Sequence, residues 1–165
     1  MPEAEIDCII SEFLTDSAQK NALKLIAYLK TNDFVLERYS KGYWKDKLYW
    51  CVKHNDEAFL YILVNNPASS VDYTDPWVIW FADNRTNWFK DFPLEEQIKK
   101  TAWRNVDVCG GNGSCGCYQG GGVTKTIFGK EFANVCITPF RFDNPAETDL
   151  VCVIKLLEIR KGCSH

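Results

Sequence analysis

Clustered positive charge, long apolar runs and histidine are what this chain has least of. Nineteen lysines and arginines stand against 22 aspartates and glutamates, a net charge of −3, and none of the basic residues form a run. Nucleic acid is therefore not the expected partner, because that binding rests on phosphate neutralisation by grouped Lys and Arg. Membrane adsorption loses its basis in the same way. No uncharged apolar stretch approaches the ~20 residues of a membrane span. The opening Met1-Pro2-Glu3-Ala4-Glu5-Ile6-Asp7 carries acid where a signal peptide carries positive charge, so the expected location is cytoplasmic. The two histidines, His54 and His165, fall in an expected hairpin turn and at the last position, which leaves little for a Ser/His or Cys/His couple. An enzyme is thus the less expected class. No internal repeat or long linker interrupts the 165 residues, and residues 1–165 read as a single domain.

Aromatic residues and cysteines are what the chain has in excess. Aromatics make up 14% of it, within an ordinary globular balance of 46% apolar and 25% charged residues. The eight cysteines are expected to be reduced thiols, since a reducing compartment does not support a disulfide framework.

Periodicity organises the chain into helices at both ends and strands between. Ile6, Ile10, Phe13 and Leu14 suggest a short helix, and Thr15-Asp16-Ser17 offers capping oxygens to a second one carrying Ala18, Ala22, Leu25 and Leu29. Phe34 to Tyr39, Lys47 to Lys53 and Ala58 to Val64 read as a strand meander, with His54 to Glu57 as a turn, and Trp77 to Ala82 as a central strand. Pro93, at a first helical position, opens a further helix that ends near Asn105. Thr124 to Phe128 and Val135 to Phe142 read as strands. Pro145 then starts a last helix with Leu150, Val153, Ile154 and Leu157 on one face, Arg160 and Lys161 suited to the dipole, and Gly162 just past its end. The expected fold is α+β, a two-layer sandwich of an antiparallel sheet with helices packed on one face.

Chemistry concentrates in Cys109-Gly110-Gly111-Asn112-Gly113-Ser114-Cys115-Gly116-Cys117. Its glycines allow a short loop to turn thiolates inward, and Cys136 lies where a returning strand could bring a fourth sulfur. Cys109, Cys115, Cys117 and Cys136 are accordingly the candidate metal ligands, with zinc the expected ion. The alternatives are a loop with incidental thiols and a redox pair of Cys115 and Cys117. Gly111 to Gly116 formally matches G-x-G-x-x-G, but a helix precedes it and none can follow, which excludes a dinucleotide site. The second constellation is aromatic. Trp50, Tyr61, Trp77 and Trp80 are candidates for a small-molecule pocket on the sheet, against the plainer reading that they fill the core.

Thr126-Ile127-Phe128-Gly129-Lys130-Glu131-Phe132-Ala133-Asn134-Val135-Cys136 follows the Cys/Gly loop and precedes Arg141-Phe142-Asp143-Asn144-Pro145 and the final helix. This arrangement resembles an uncharacterised family of small Firmicute proteins. The hairpin Lys45 to Lys53 and the terminal strand, Pro145 and helix are more remotely similar to the YdhG-like domains of unknown function. That likeness implies a small α/β sandwich of frataxin-like shape, in which the Cys/Gly loop is an insertion, and neither resemblance brings a catalytic motif. The expectation is a non-catalytic binding domain with a Cys-ligated metal between residues 109 and 136. The alternatives are an effector-binding domain with an aromatic pocket and a thiol redox protein.

Overall fold

The structure is a computed structural model that describes residues 5–40, 47–66, 75–82, 88–108 and 122–163. Its described elements are α1 (Ile6–Phe13), α2 (Asp16–Thr31), β1 (Val35–Arg38), β2 (Leu48–His54), β3 (Glu57–Val64), β4 (Trp77–Phe81), α3 (Glu96–Arg104), β5 (Val106–Val108), β6 (Val123–Ile127), β7 (Lys130–Asp143) and α4 (Glu147–Cys163). The seven strands join in one open antiparallel sheet in the order β1-β2-β3-β4-β7-β5, with β6 also paired to β7. The fold is α+β, as the alternation of patterns implies. By contact density the chain forms two compact units, one of residues 1–79 with 142–150 and the other of residues 80–141 with 151–165.

In the first unit, α1 buries Ile6, Ile9 and Ile10, and α2 buries Asn21, Ala22, Leu25, Ile26 and Leu29. These are the i, i+3, i+4 positions of one helical face. α1 packs on α2 and β3. Thr15 makes no side-chain cap bond; instead Gln19 Nε2 donates to Leu14 O at 2.8 Å and closes the junction between the helices. Asn21 Nδ2 donates to Pro145 O at 3.3 Å and ties α2 to the segment that leads into α4.

β2 and β3 form a hairpin whose turn is Asn55-Asp56 alone, both residues at positive φ (51° and 64°). Positive φ at both central positions is the geometry whose twist matches a hairpin, and Asn and Asp tolerate it. His54 is therefore a strand residue rather than a turn residue. Its ring lies 5.4 Å from Phe34 and 5.7 Å from Phe59, where the register shifts beyond Val52.

In the second unit an aromatic cluster surrounds Phe140, with the rings of Phe81, Trp88, Phe89 and Phe128 all within 6.3 Å. α3 starts at Glu96 rather than at Pro93, and Trp103 on it donates Nε1–H to Ile127 O at 2.8 Å. On α4, Cys152 Sγ lies 3.7 Å from Ile98 O. Arg160 lies in the last turn of α4, as the dipole favours, and is also buried: it is 1% exposed and Nη1 donates to Ala82 O at 3.0 Å. Gly162 lies within the helix, not past its end.

Candidate functional site

The chemistry-bearing part of the second unit is built on β7. Val108, at the end of β5, and Val123, at the start of β6, both register on Val135 of β7. The strands that flank the Cys/Gly segment thus pair with β7 at one position, and Cys136 is the next residue along. Gly122 runs so close to β7 that a Cβ there would collide with Val135 O and the Asn134 backbone. Only glycine fits this approach.

β7 is irregular at this point. Val106 pairs with Phe140 and Val108 with Val135, so Cys136 to Pro139 stand opposite Asp107 alone. An insertion of this kind bends the strand and re-aims its side chains. Pro139 suits it, since proline brings no N–H to the ladder. Inside the bulge Thr138 Oγ1 donates to Asp107 Oδ2 at 3.2 Å and lies 3.6 Å from Cys136 Sγ. Cys136 is buried, with 4% of its surface exposed, while Asp107 and Thr138 are half-buried. A soft sulfur, a hydroxyl and a hard carboxylate therefore line one short stretch. Val108, Val123 and Ile137 border it as exposed apolar side chains.

Of the four candidate ligands, Cys136 occupies this bulge, and Cys109, Cys115 and Cys117 lie outside the described residues. Among the described residues no group of three or more His, Cys, Asp or Glu side chains is placed to hold a metal ion. The remaining described thiols are dispersed: Cys8 is exposed, and Cys51 and Cys152 are buried. Burial pushes the Cys51 thiol up from its ordinary value, with Lys53 opposing and Glu37 reinforcing the effect. A protonated thiol is a poor nucleophile.

The aromatic candidates do not share one sheet face. Trp50 pairs with Ile62 while Tyr61 pairs with Cys51, so strand alternation puts Trp50 and Tyr61 on opposite sides. Trp50 carries the Arg38 guanidinium at 5.0 Å, and Tyr61 stacks on Tyr49 at 5.7 Å. Trp77 and Trp80, three residues apart on β4, alternate likewise. Trp77 is fully buried, its indole N–H without a hydrogen-bond partner among the described residues, and Trp80 packs under Arg141 at 5.4 Å.

Asp107 and Thr138 were not among the candidates that spacing suggested. Their signal in the sequence was Pro139 within an apolar strand, which marks a bulge without saying what stands opposite it. No helix among the described residues is long and apolar enough to cross a membrane. Compared with protein-family models, with curated proteins and with solved structures, the chain matches none.

Proposed function

We propose that the protein is a non-catalytic metal-binding domain of a reducing, cytoplasmic compartment, in which Cys109, Cys115, Cys117 and Cys136 hold one zinc ion. The observation that carries this reading is the shared register of Val108 and Val123 on Val135, beside Cys136. Three thiols within nine residues of chain enter and leave at a strand that offers a fourth. Thiolates favour a tetrahedral borderline-soft ion, and a closed set of four protein ligands is the pattern of a structural rather than a catalytic zinc site. The buried position of Cys136 supports it further, because a ligand sulfur is shielded from competing water and oxidants.

Elemental analysis of freshly purified, reduced protein is the test. The expected result is about one equivalent of zinc per chain, lost when Cys115 and Cys117 are both replaced by serine. Metal-free protein whose melting temperature does not respond to added zinc or to chelator overturns the proposal.

A further inference from the structure

We infer that the cleft between Lys90 and β6 is a binding site for the phosphate group of a small organic monoester. The inference is independent of the metal reading above, since it uses no cysteine. The cleft has a volume of about 270 Å³ and is lined by Lys90, Val123, Thr124, Lys125 and Thr126. Two ammonium-bearing and two hydroxyl-bearing side chains thus line one hollow, with no carboxylate in that lining among the described residues. β6 is irregular along it. Val123 pairs with Val135 but Lys125 with Phe132, so Thr124 stands opposite both Ala133 and Asn134, the latter at a φ of 58°. A bulge of this kind increases the local twist and re-aims side chains, which lets the consecutive Thr124 and Lys125 line the same cleft.

The turn between β6 and β7 holds the facing segment in place. Phe128 N donates to Phe89 O at 2.7 Å and Gly129 N donates to Lys90 O at 2.9 Å, so backbone bonds fix Lys90 relative to β6. Lys125 Nζ lies 5.5 Å over the Phe89 ring, which attracts an ammonium without neutralising it. Among the described residues Lys90 forms no ion pair. Two carboxylates stand beside the lining residues without belonging to the lining: Asp91, which follows Lys90, and Glu131, opposite Thr126 on β7, both exposed. Lysine supplies a point charge and threonine an O–H donor, and a phosphate with several acceptor oxygens uses both. The volume falls just under the range of roughly 300–1,000 Å³ that suits drug-sized ligands, so a phosphate with a few attached carbons fits. Val123, 57% exposed, offers those carbons an apolar rim.

Amide NMR spectra of the labelled full chain, titrated at constant ionic strength with inorganic phosphate and with phenyl phosphate, test this and report folding at the same time. Both probes are expected to give saturable shifts centred on Lys90 and residues 123–126, with phenyl phosphate the tighter of the two. Lys90→Ala and Lys125→Met should each weaken binding about three- to fivefold. Thr126→Val, which removes a hydroxyl donor, should weaken it about fivefold. The double variant of Lys90→Ala and Lys125→Met should show no saturable response. Glu131→Gln removes an opposing charge and should tighten binding about twofold. Lys155→Ala, a lysine of α4 outside the lining, should bind as the unaltered chain does. Shifts that grow without saturating, that spread equally over lysines outside the cleft, or that persist undiminished in the double variant overturn the inference. Acetate that shifts the same amides with equal affinity overturns the assignment to phosphate, and exclusion of phenyl phosphate overturns the monoester.

Discussion

A thiol that is buried in the fold and exposed in the unfolded chain couples folding to pH, and Cys51 is such a group. Burial raises its folded value. Below roughly pH 8.5 both states keep the proton and nothing changes; above it the unfolded chain ionises while the folded one does not, so stability falls as pH rises. Lys30 does not confuse the window. Its value is raised chiefly by its hydrogen bond to Asp7, so its contribution is complete below the ordinary lysine value and is lost only above it. Urea unfolding at pH 8 and pH 10 in reducing buffer should show a smaller loss for Cys51→Ala than for the unaltered chain, and equal losses would dismiss the coupling. Glycine positions give a second residue-scale prediction. Gly122→Ala places a Cβ against backbone that cannot yield, whereas Gly129 has open space around it and a φ of +84°. Gly129→Ala should cost roughly 1–2 kcal/mol through left-handed strain. Gly122→Ala should cost more, of the order of 1–3 kcal/mol or above through overpacking, and should also disturb the β6–β7 register. Thermal melts of the two variants rank them, and the reverse order would show that β7 can move aside.

Among the elements, α4 carries the most unexpected energetic role. Its Arg160 donates from a fully buried guanidinium to Ala82 O, the residue that follows β4. Arg160→Met keeps most of the volume but removes a charged donor and orphans a carbonyl, a loss of about 1–3 kcal/mol in urea unfolding; a loss under ~0.5 kcal/mol would place Arg160 among ordinary surface substitutions. Sequence position suggested only a cation suited to the helix dipole, because it reports where along a helix a residue stands and not what lies against it. α2 was legible because its apolar residues recur at the helical period, β4 because an uninterrupted apolar run suits a strand buried on both faces, and α4 in part because Pro145 marks its start. β5 was not legible, since Val106-Asp107-Val108 is too short to show alternation and follows directly on α3. The first half of β7 was missed because Glu131, Ala133 and Asn134 are exposed and carry no apolar alternation. What marks it is the tight Phe128-Gly129 turn, both residues at positive φ. The candidate site shows the same division. Cys136 could be found as a thiol by its type, whereas Asp107 and Thr138 gain meaning only from a bulge that no spacing rule specifies.

For the molecule as a whole, the question is whether the fold depends on the Cys/Gly segment or carries it. Among the described residues the buried apolar side chains come from α1, α2, β2, β3, β4, β7 and α4, with Ala102 from α3, Ile127 from β6, and Leu14, Phe34, Ala82, Trp88, Phe89 and Phe128 from connecting segments. Residues 110–121 add six glycines and no long apolar side chain except Tyr118. Ordering such a stretch costs roughly 1–2 kcal/mol per residue in backbone entropy, which apolar burial by these residues does not offset. The ends to be joined are near one another: β5 and β6 both pair with β7 at Val135, and paired strands lie about 4.8 Å apart, so a gap of roughly 10 Å separates them. A linker of roughly six Gly/Ser residues spans that gap with slack, and shortening a loop changes its closure entropy by less than about 1 kcal/mol. Replacing residues 110–121 by such a linker should therefore leave a folded protein with a single cooperative urea transition and no bound zinc. If the replaced chain unfolds, or melts far below the unaltered protein after its metal has been stripped, the segment organises the strand ends by more than metal ligation, and the picture of a dispensable insertion on a self-sufficient core fails. If instead it folds but its stability matches only that of the stripped unaltered protein, the difference from the loaded protein measures what the bound ion adds to folding.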